Sequence, residues 1–302
     1  MPTWDKILKE VEESLNPLRV LDKYLCNLSK QTKRTSICYM TAFTVVKPPV
    51  PSLFHSIIDQ DIQGFMTCSK GVDKNELNLI VHTPGGDYEA TKRIITYLHE
   101  TYKHIRVYIP HMAMSGGTLF ACSSDEIFMG PYSSIGPTDP QVFLDGNYIP
   151  VDALINEFNK AFEEVSSDPS TALLWNERLN KVPFGKLKAA ENMRDNSLKY
   201  LVDLLKTRNC CNKKDDKIES IAKFLNSHEG HSSHGRGISL KDAKEIGLNV
   251  FDLREQKETE DIILSIYHAA IVLFQKTAAQ KIILNNKKSK YINNYSQDHP
   301  IV

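Results

Sequence analysis

Two short stretches carry residue types that could perform acyl-transfer chemistry. The first runs Ile109-Pro110-His111-Met112-Ala113-Met114-Ser115-Gly116-Gly117-Thr118-Leu119-Phe120-Ala121-Cys122. The apolar run from Ile105 to Ile109 reads as a short buried strand, and Thr118 to Cys122 continue as a helix. A strand that turns sharply into a helix around a serine and two glycines pushes the Ser115 hydroxyl out at the helix start. It also leaves backbone N–H groups pointing at whatever binds there. That is the logic of a nucleophile elbow, although Gly-x-Ser-x-Gly itself is absent. The same residues also fit a capping serine followed by glycines that allow close packing. The second stretch is the strand Leu77-Asn78-Leu79-Ile80-Val81 followed by His82-Thr83-Pro84-Gly85-Gly86 and a helical pattern over 88–102. Pro84 fixes a turn there, and the two glycines supply amides with no side chain in the way. Two consecutive strand–turn–helix units bring both sets of amides to one edge of a parallel sheet. A serine between them would have an oxyanion hole around it.

The run from His82 to Gln141 resembles the Clp-type peptidase and crotonase superfamily, and within it the serine dehydrogenase proteinase family, which is related to the signal-peptide peptidases. The residues that carry the resemblance are His82-Thr83-Pro84-Gly85-Gly86, Pro110-His111, Ala113-Met114-Ser115-Gly116-Gly117-Thr118, Asp125-Glu126-Ile127 and Gly136-Pro137-Thr138-Asp139-Pro140-Gln141. The resemblance implies an α/β fold of the Clp-peptidase/crotonase-like type and a serine endopeptidase. Ser115 would be the nucleophile, with Gly85, Gly86, Gly116 and His111 at the oxyanion and substrate side. No cofactor or metal is called for.

The general base is less legible. Clp-type peptidases place a histidine where this chain has Thr138-Asp139-Pro140-Gln141. Signal-peptide peptidases use a desolvated lysine instead, and the lysines at comparable range are Lys160, Lys181, Lys186 and Lys188. The histidines His228, His231 and His234 precede a late helix, and the resemblance puts His234 where serine dehydrogenase proteinases also tend to carry one. His231 and His234 therefore stand beside Lys188 as candidates. A solvated loop, or a metal site of three histidines, would use the same residues differently. His82 and His111 abut the two amide-bearing turns, and are expected to fix those loops by hydrogen bonds, although either is close enough in sequence to reach Ser115.

The elements that must position these groups follow from periodicity. Residues 5–35 have helical spacing broken at Pro17, and 36–46 suggest the first strand. Pro48-Pro49-Val50-Pro51-Ser52 stops it and is expected to start a helix over 53–64. Strands and helices then alternate through Met129 at the spacing of a parallel sheet. Beyond Gln141 helices are expected over 151–165, 184–207 and 217–226, with 165–172 either a mobile loop near the site or a plain connector. A capped helix ends at Gly247, Val250-Phe251 closes the sheet, helix returns over 255–284, and the polar tail from Asn285 is expected to lack structure. The division is thus a helical N-terminal arm over 1–35, a Clp-peptidase/crotonase-like protease domain over 36–254, and a C-terminal helix with a flexible tail over 255–302.

Composition narrows the partners. Acidic and basic residues number 37 each and the pI is about 7.1, which argues against nucleic acid or a membrane surface. The sequence contains no apolar run of spanning length, and no secretory signal is expected from its first residues. Six cysteines without a framework spacing fit a reducing, cytoplasmic compartment. The partners expected are a peptide or unfolded protein substrate, further copies of the chain in a homo-oligomer, and a possible regulatory protein. The competing function is a non-proteolytic crotonase-like scaffold or an acyl-CoA enzyme in which Ser115 is structural.

Overall fold

The computed structural model describes residues 4–47, 50–144, 146–227 and 237–295. In chain order, α1 (Trp4–Ser14) and α2 (Pro17–Thr32) precede β1 (Thr35–Thr41). A 3₁₀ turn at Ser52–Phe54 and α3 (Asp61–Cys68) lead to β2 (Glu76–His82), α4 (Tyr88–Thr101) and β3 (His104–Ile109). The two-residue strand β4 (Met112–Ala113) opens onto α5 (Gly116–Cys122), followed by β5 (Glu126–Met129) and β6 (Ser134–Ile135). A hairpin of β7 (Gln141–Leu144) and β8 (Asn147–Pro150) then carries α6 (Val151–Ser167), α7 (Ala172–Leu179), α8 (Lys186–Thr207) and α9 (Asp215–Asn226). After β9 (Ile238–Ser239) come α10 (Leu240–Ile246), β10 (Val250–Asp252), α11 (Lys257–Lys276) and the hairpin of β11 (Ala279–Asn285) and β12 (Lys290–Asn294).

The main sheet is seven-stranded, in the order β10-β5-β3-β2-β1-β11-β12. From β10 to β1 the neighbours are parallel, as the alternation of strands and helices requires, and β11 and β12 add antiparallel at one edge. Period-two alternation along the strands divides the core. Ile37, Tyr39, Leu77, Leu79 and Val81 face one layer, with α3, α4, α5, α8, α9 and α10. Cys38, Met40 and Ile80 face the other, with α1, α2 and α11. The two terminal helical segments thus pack on each other over one face of the sheet.

The structure corrects the periodicity reading in four places. The helix expected over 53–64 is a 3₁₀ turn and then α3, which begins only at Asp61. The Asp61 carboxylate turns inward to accept the Ile58 N–H at 3.1 Å, closing a turn over 58–61 from which the helix starts. The connector expected over 165–172 is mostly helical: α6 runs to Ser167, a 3₁₀ turn spans Pro169–Thr171, and α7 follows. The helix expected to reach residue 284 stops at Lys276, and Ala279–Asn285 is a strand. Every residue of that strand is buried, so it has no alternating pattern to distinguish it from a buried helix. Finally, Lys290–Asn294 in the polar tail pairs as β12 rather than lacking structure.

Candidate active site

A second small sheet, β4-β6-β9, sits at the carboxyl edge of the main one. It is fastened there by Thr83, whose N–H donates to Met112 O at 3.0 Å and whose carbonyl accepts the Met114 N–H at 3.0 Å. Immediately beyond, Ser115 has φ 50° and ψ −110° at the entry to α5. A non-glycine residue at positive φ costs on the order of 1–3 kcal/mol and persists only where its surroundings over-determine it. Here they do. Gly117 N–H donates to Met114 O and Thr118 N–H to Ser115 O, both at 2.8 Å. The Thr118 hydroxyl lies 2.7 Å from Gly136 O and accepts the Gly136 N–H at 3.0 Å. Ser115 makes no side-chain capping bond to the helix it precedes, and it is only half-buried.

The glycines are forced by proximity. A Cβ on Gly85, which has φ +98°, would sit 2.7 Å from both the Ser115 Cβ and Met114 O. A Cβ on Gly86 would lie 2.2 Å from Ile57 N, and one on Gly116 would lie 2.8 Å from the Thr91 hydroxyl and 2.9 Å from Ile57 Cδ1. The Gly85-Gly86 turn is therefore sandwiched between the serine elbow and the backbone of Ile57. Ile57 N–H donates to Gly85 O at 2.8 Å and Ile57 O accepts Asp87 N–H at 2.9 Å. Among the described residues, neither Gly86 N–H nor Gly116 N–H donates a hydrogen bond. Asp87 then caps α4 by accepting the Ala90 N–H at 2.7 Å. The sequence reading missed Ile57. Its segment was expected to be helical, and an isolated bridging residue leaves no periodic signal.

The two histidines beside the turns act on the backbone. His82 is wholly buried, with Nδ1 3.2 Å from Met112 O and Nε2 3.1 Å from the Thr44 hydroxyl. Burial, reinforced by the neighbouring His111, pushes its pKa down to about 3. The rings of His82 and His111 stack at 5.5 Å. His111 Nδ1 pairs with the Tyr267 hydroxyl at 2.9 Å, and burial lowers its pKa as well. Both rings thus tie the elbow's approach strand to its supports, Thr44 and α11. The nearest fit to the sequence expectation for His111 is positioning.

Lys188 does not have the setting that a lysine base needs. Its side chain is 73% exposed and pairs at 2.9 Å with Glu191 one turn further along α8, whereas a neutral amine nucleophile-activator has to be desolvated. Lys160 is likewise exposed and faces Glu164 at 3.7 Å. His231 and His234, with His228, lie outside the described residues. The described chain on either side of them is well placed: Thr138 N–H donates to Leu225 O at 2.7 Å, and Ser197 donates to Asn226 Oδ1 at 2.7 Å. On the far side Ile238 pairs with Ile135, which in turn pairs with Ala113.

An α/β fold with a serine elbow and a glycine-rich turn facing it at the carboxyl edge of a mostly parallel sheet is of the Clp-peptidase type. The chain belongs to the family of ClpP-like SDH-type serine proteinases, whose sequence model matches residues 52–291. Uncharacterized protein MJ1495 of Methanocaldococcus jannaschii is 34% identical over 174 residues, 58% of this chain and 51% of that protein. Uncharacterized protein MJ0137 of the same organism is 30% identical over 199 residues, 66% of this chain and 62% of that protein. The chain thus spans between about half and three-fifths of the length of these relatives. Among solved structures, a mutant form of the 1510-N membrane-bound stomatin-specific protease is similar at a TM-score of 0.43 and 16% identity, covering 68% of this chain and 79% of that one.

Proposed function

We propose that this protein is a serine endopeptidase in which Ser115 is the nucleophile. The observation that carries the reading is the strained backbone of Ser115, whose hydroxyl serves no cap, set against Gly85 and followed by the start of α5. Ser115 Oγ attacks the carbonyl carbon of a peptide bond while its proton passes to a base. The oxyanion accepts hydrogen bonds from the Gly86 and Gly116 N–H groups, aided by the positive end of the helix. The protonated base then donates to the departing amine, and water repeats the sequence on the acyl-enzyme. The base is His234, with His231 the alternate. The exposure of Lys188 and the engagement of His82 and His111 by backbone and tyrosine support this assignment, as does the fastening of Asn226 and Ile238 beside the elbow.

The substrate is a peptide or an unfolded polypeptide, and the working form is a homo-oligomer. Exposed apolar side chains at Phe162, Leu173, Leu174 and Phe184 support assembly. Among the described residues no helix is long and apolar enough to cross a membrane. The cytoplasmic setting rests on the absence of a framework spacing among the six cysteines, none of which is bonded to another.

The test is labelling by a fluorophosphonate and hydrolysis of a peptide library by the wild type and Ser115→Ala. Ser115→Ala abolishes both, with an unchanged circular dichroism spectrum. A wild type that neither labels nor cleaves, alone or with cell lysate, would return Ser115 to a structural part in a non-proteolytic relative.

A further inference from the structure

Asp61 on α3 and Lys281 on β11 are both wholly buried, at 0% side-chain exposure each. Taking two charges out of water is compensated only when the remaining lone pairs and protons also find partners. Here they do, and the partners are informative. Lys281 Nζ donates to both carboxylate oxygens of Asp61 at 2.9 Å and to Ser56 O at 2.6 Å. Asp61 Oδ2 also accepts from the Tyr39 hydroxyl at 2.8 Å and from Ile58 N–H at 3.1 Å. The pair therefore grips the backbone on both sides of Ile57. That residue bonds Gly85 O and Asp87 N–H at 2.8 and 2.9 Å, and its backbone leaves no room for a Cβ on Gly86. Thr83 adds a second hold on the same turn, its hydroxyl accepting the Gly85 N–H at 3.2 Å.

We propose that the buried Lys281–Asp61 pair is a positioning device for the oxyanion-binding loop: it clamps Ser56–Ile58, which in turn holds Gly85-Gly86 against Ser115. The inference rests on the reading of Ser115 and Gly86 given above. It assigns to the C-terminal hairpin, remote in sequence, a part in the reaction. A pair kept only for stability is replaceable by apolar side chains of similar volume. A clamp is not, because the Ser56 carbonyl and the Ile58 N–H lose their anchors.

Three amides read the device directly in the full wild-type chain: Ile58, held by Asp61, and Ile57 and Asp87, which make the pairing to the loop. They exchange with solvent through one shared opening and with a common protection factor. Exchange of Ile57 and Asp87 more than about tenfold faster than Ile58 separates loop from clamp and overturns the proposal, whatever Ser115 does. The double variant Lys281→Met/Asp61→Leu then tests the chemistry. Expected are a folded protein with a lowered urea midpoint, since Ser56 O and Ile58 N–H are left without partners, loss of the shared protection, and fluorophosphonate labelling at least about tenfold slower, with the peptide KM unchanged. A folded double variant that labels at the wild-type rate overturns the positioning role. Should the double variant not fold, the wild-type exchange pattern decides. A wild type that is never labelled overturns the assignment of Ser115 and leaves the same exchange pattern to decide for or against the clamp.

Discussion

The elbow around Ser115 and the helical excursion over 141–190 are built on opposite principles. At the elbow, Gly85, Gly86 and Gly116 are each closed in by neighbours within 3 Å of a would-be Cβ, and backbone hydrogen bonds run through Thr83, Met114 and Thr118. In the excursion the buried core is small, made of Val142, Val151, Leu154, Ile155 and Ala190, while Phe162, Leu173, Leu174 and Phe184 stand in solvent. Gly146 and Gly185 there have positive φ and nothing within 4 Å of a would-be Cβ. The contrast separates a region whose geometry is over-determined from one whose apolar surface still wants a cover.

The sharpest way to break that contrast is a matched pair of glycine substitutions. Gly86→Ala forces a methyl into the backbone of Ile57, 2.2 Å from its nitrogen. By displacing the proposed oxyanion donor it should lower fluorophosphonate reactivity by on the order of 10²-fold. Gly185→Ala at φ +80° meets no atom and should cost only about 1 kcal/mol of backbone strain, with labelling unchanged. Equal effects from the two would erase the distinction.

Acid titration reads the elbow's support more gently. His82 is neutral in the fold, its pKa pushed down to about 3, while the unfolded chain takes up a proton near pH 6.5. Its contribution is therefore complete above about pH 6.5 and is lost as pH falls toward 3, because the unfolded state then binds more protons. The slope from this group approaches about 1.4 kcal/mol per pH unit. Urea unfolding between pH 7 and pH 4 should show it, and His82→Gln should flatten it. An unchanged slope would place the acid sensitivity elsewhere.

The smallest stability effect is expected from the excursion. Phe184→Ser and Leu173→Ser should each leave stability within about 0.5 kcal/mol, since neither side chain is packed. Light scattering should nevertheless show a lower mass for the double variant than for the wild type. An unchanged mass would remove these side chains from the assembly surface.

The outline of the elbow was legible in the sequence because its strand, turn and helix patterns are local. Two apolar strands, two glycine-bearing turns and two helical patterns lie within residues 77–122, and short-range sterics dictate how such units turn. The capped helix ending at Gly247 was legible for the same reason. Ser239 and Asp242 form a reciprocal capping box, and Gly247 takes the left-handed φ of +103°. The two strands of the final hairpin were not. Ile282-Ile283-Leu284 is as apolar as α11, and only pairing with Cys38-Tyr39-Met40 makes it a strand. Nor could spacing reveal that Lys281 meets Asp61 across 220 positions, or that Ile57 backs the Gly86 turn, since a charge or a single isoleucine has no period.

The residues that could react, the direction in which their strands run and the glycines that make room for them were thus determined by local sequence, where steric and hydrogen-bonding rules act over a few residues. The tertiary structure decided which backbone presses on those glycines, which buried charges hold that backbone, and that Lys188 stays in solvent. Those outcomes depend on burial and on contacts between distant segments, which exist only once the sheet has closed around them.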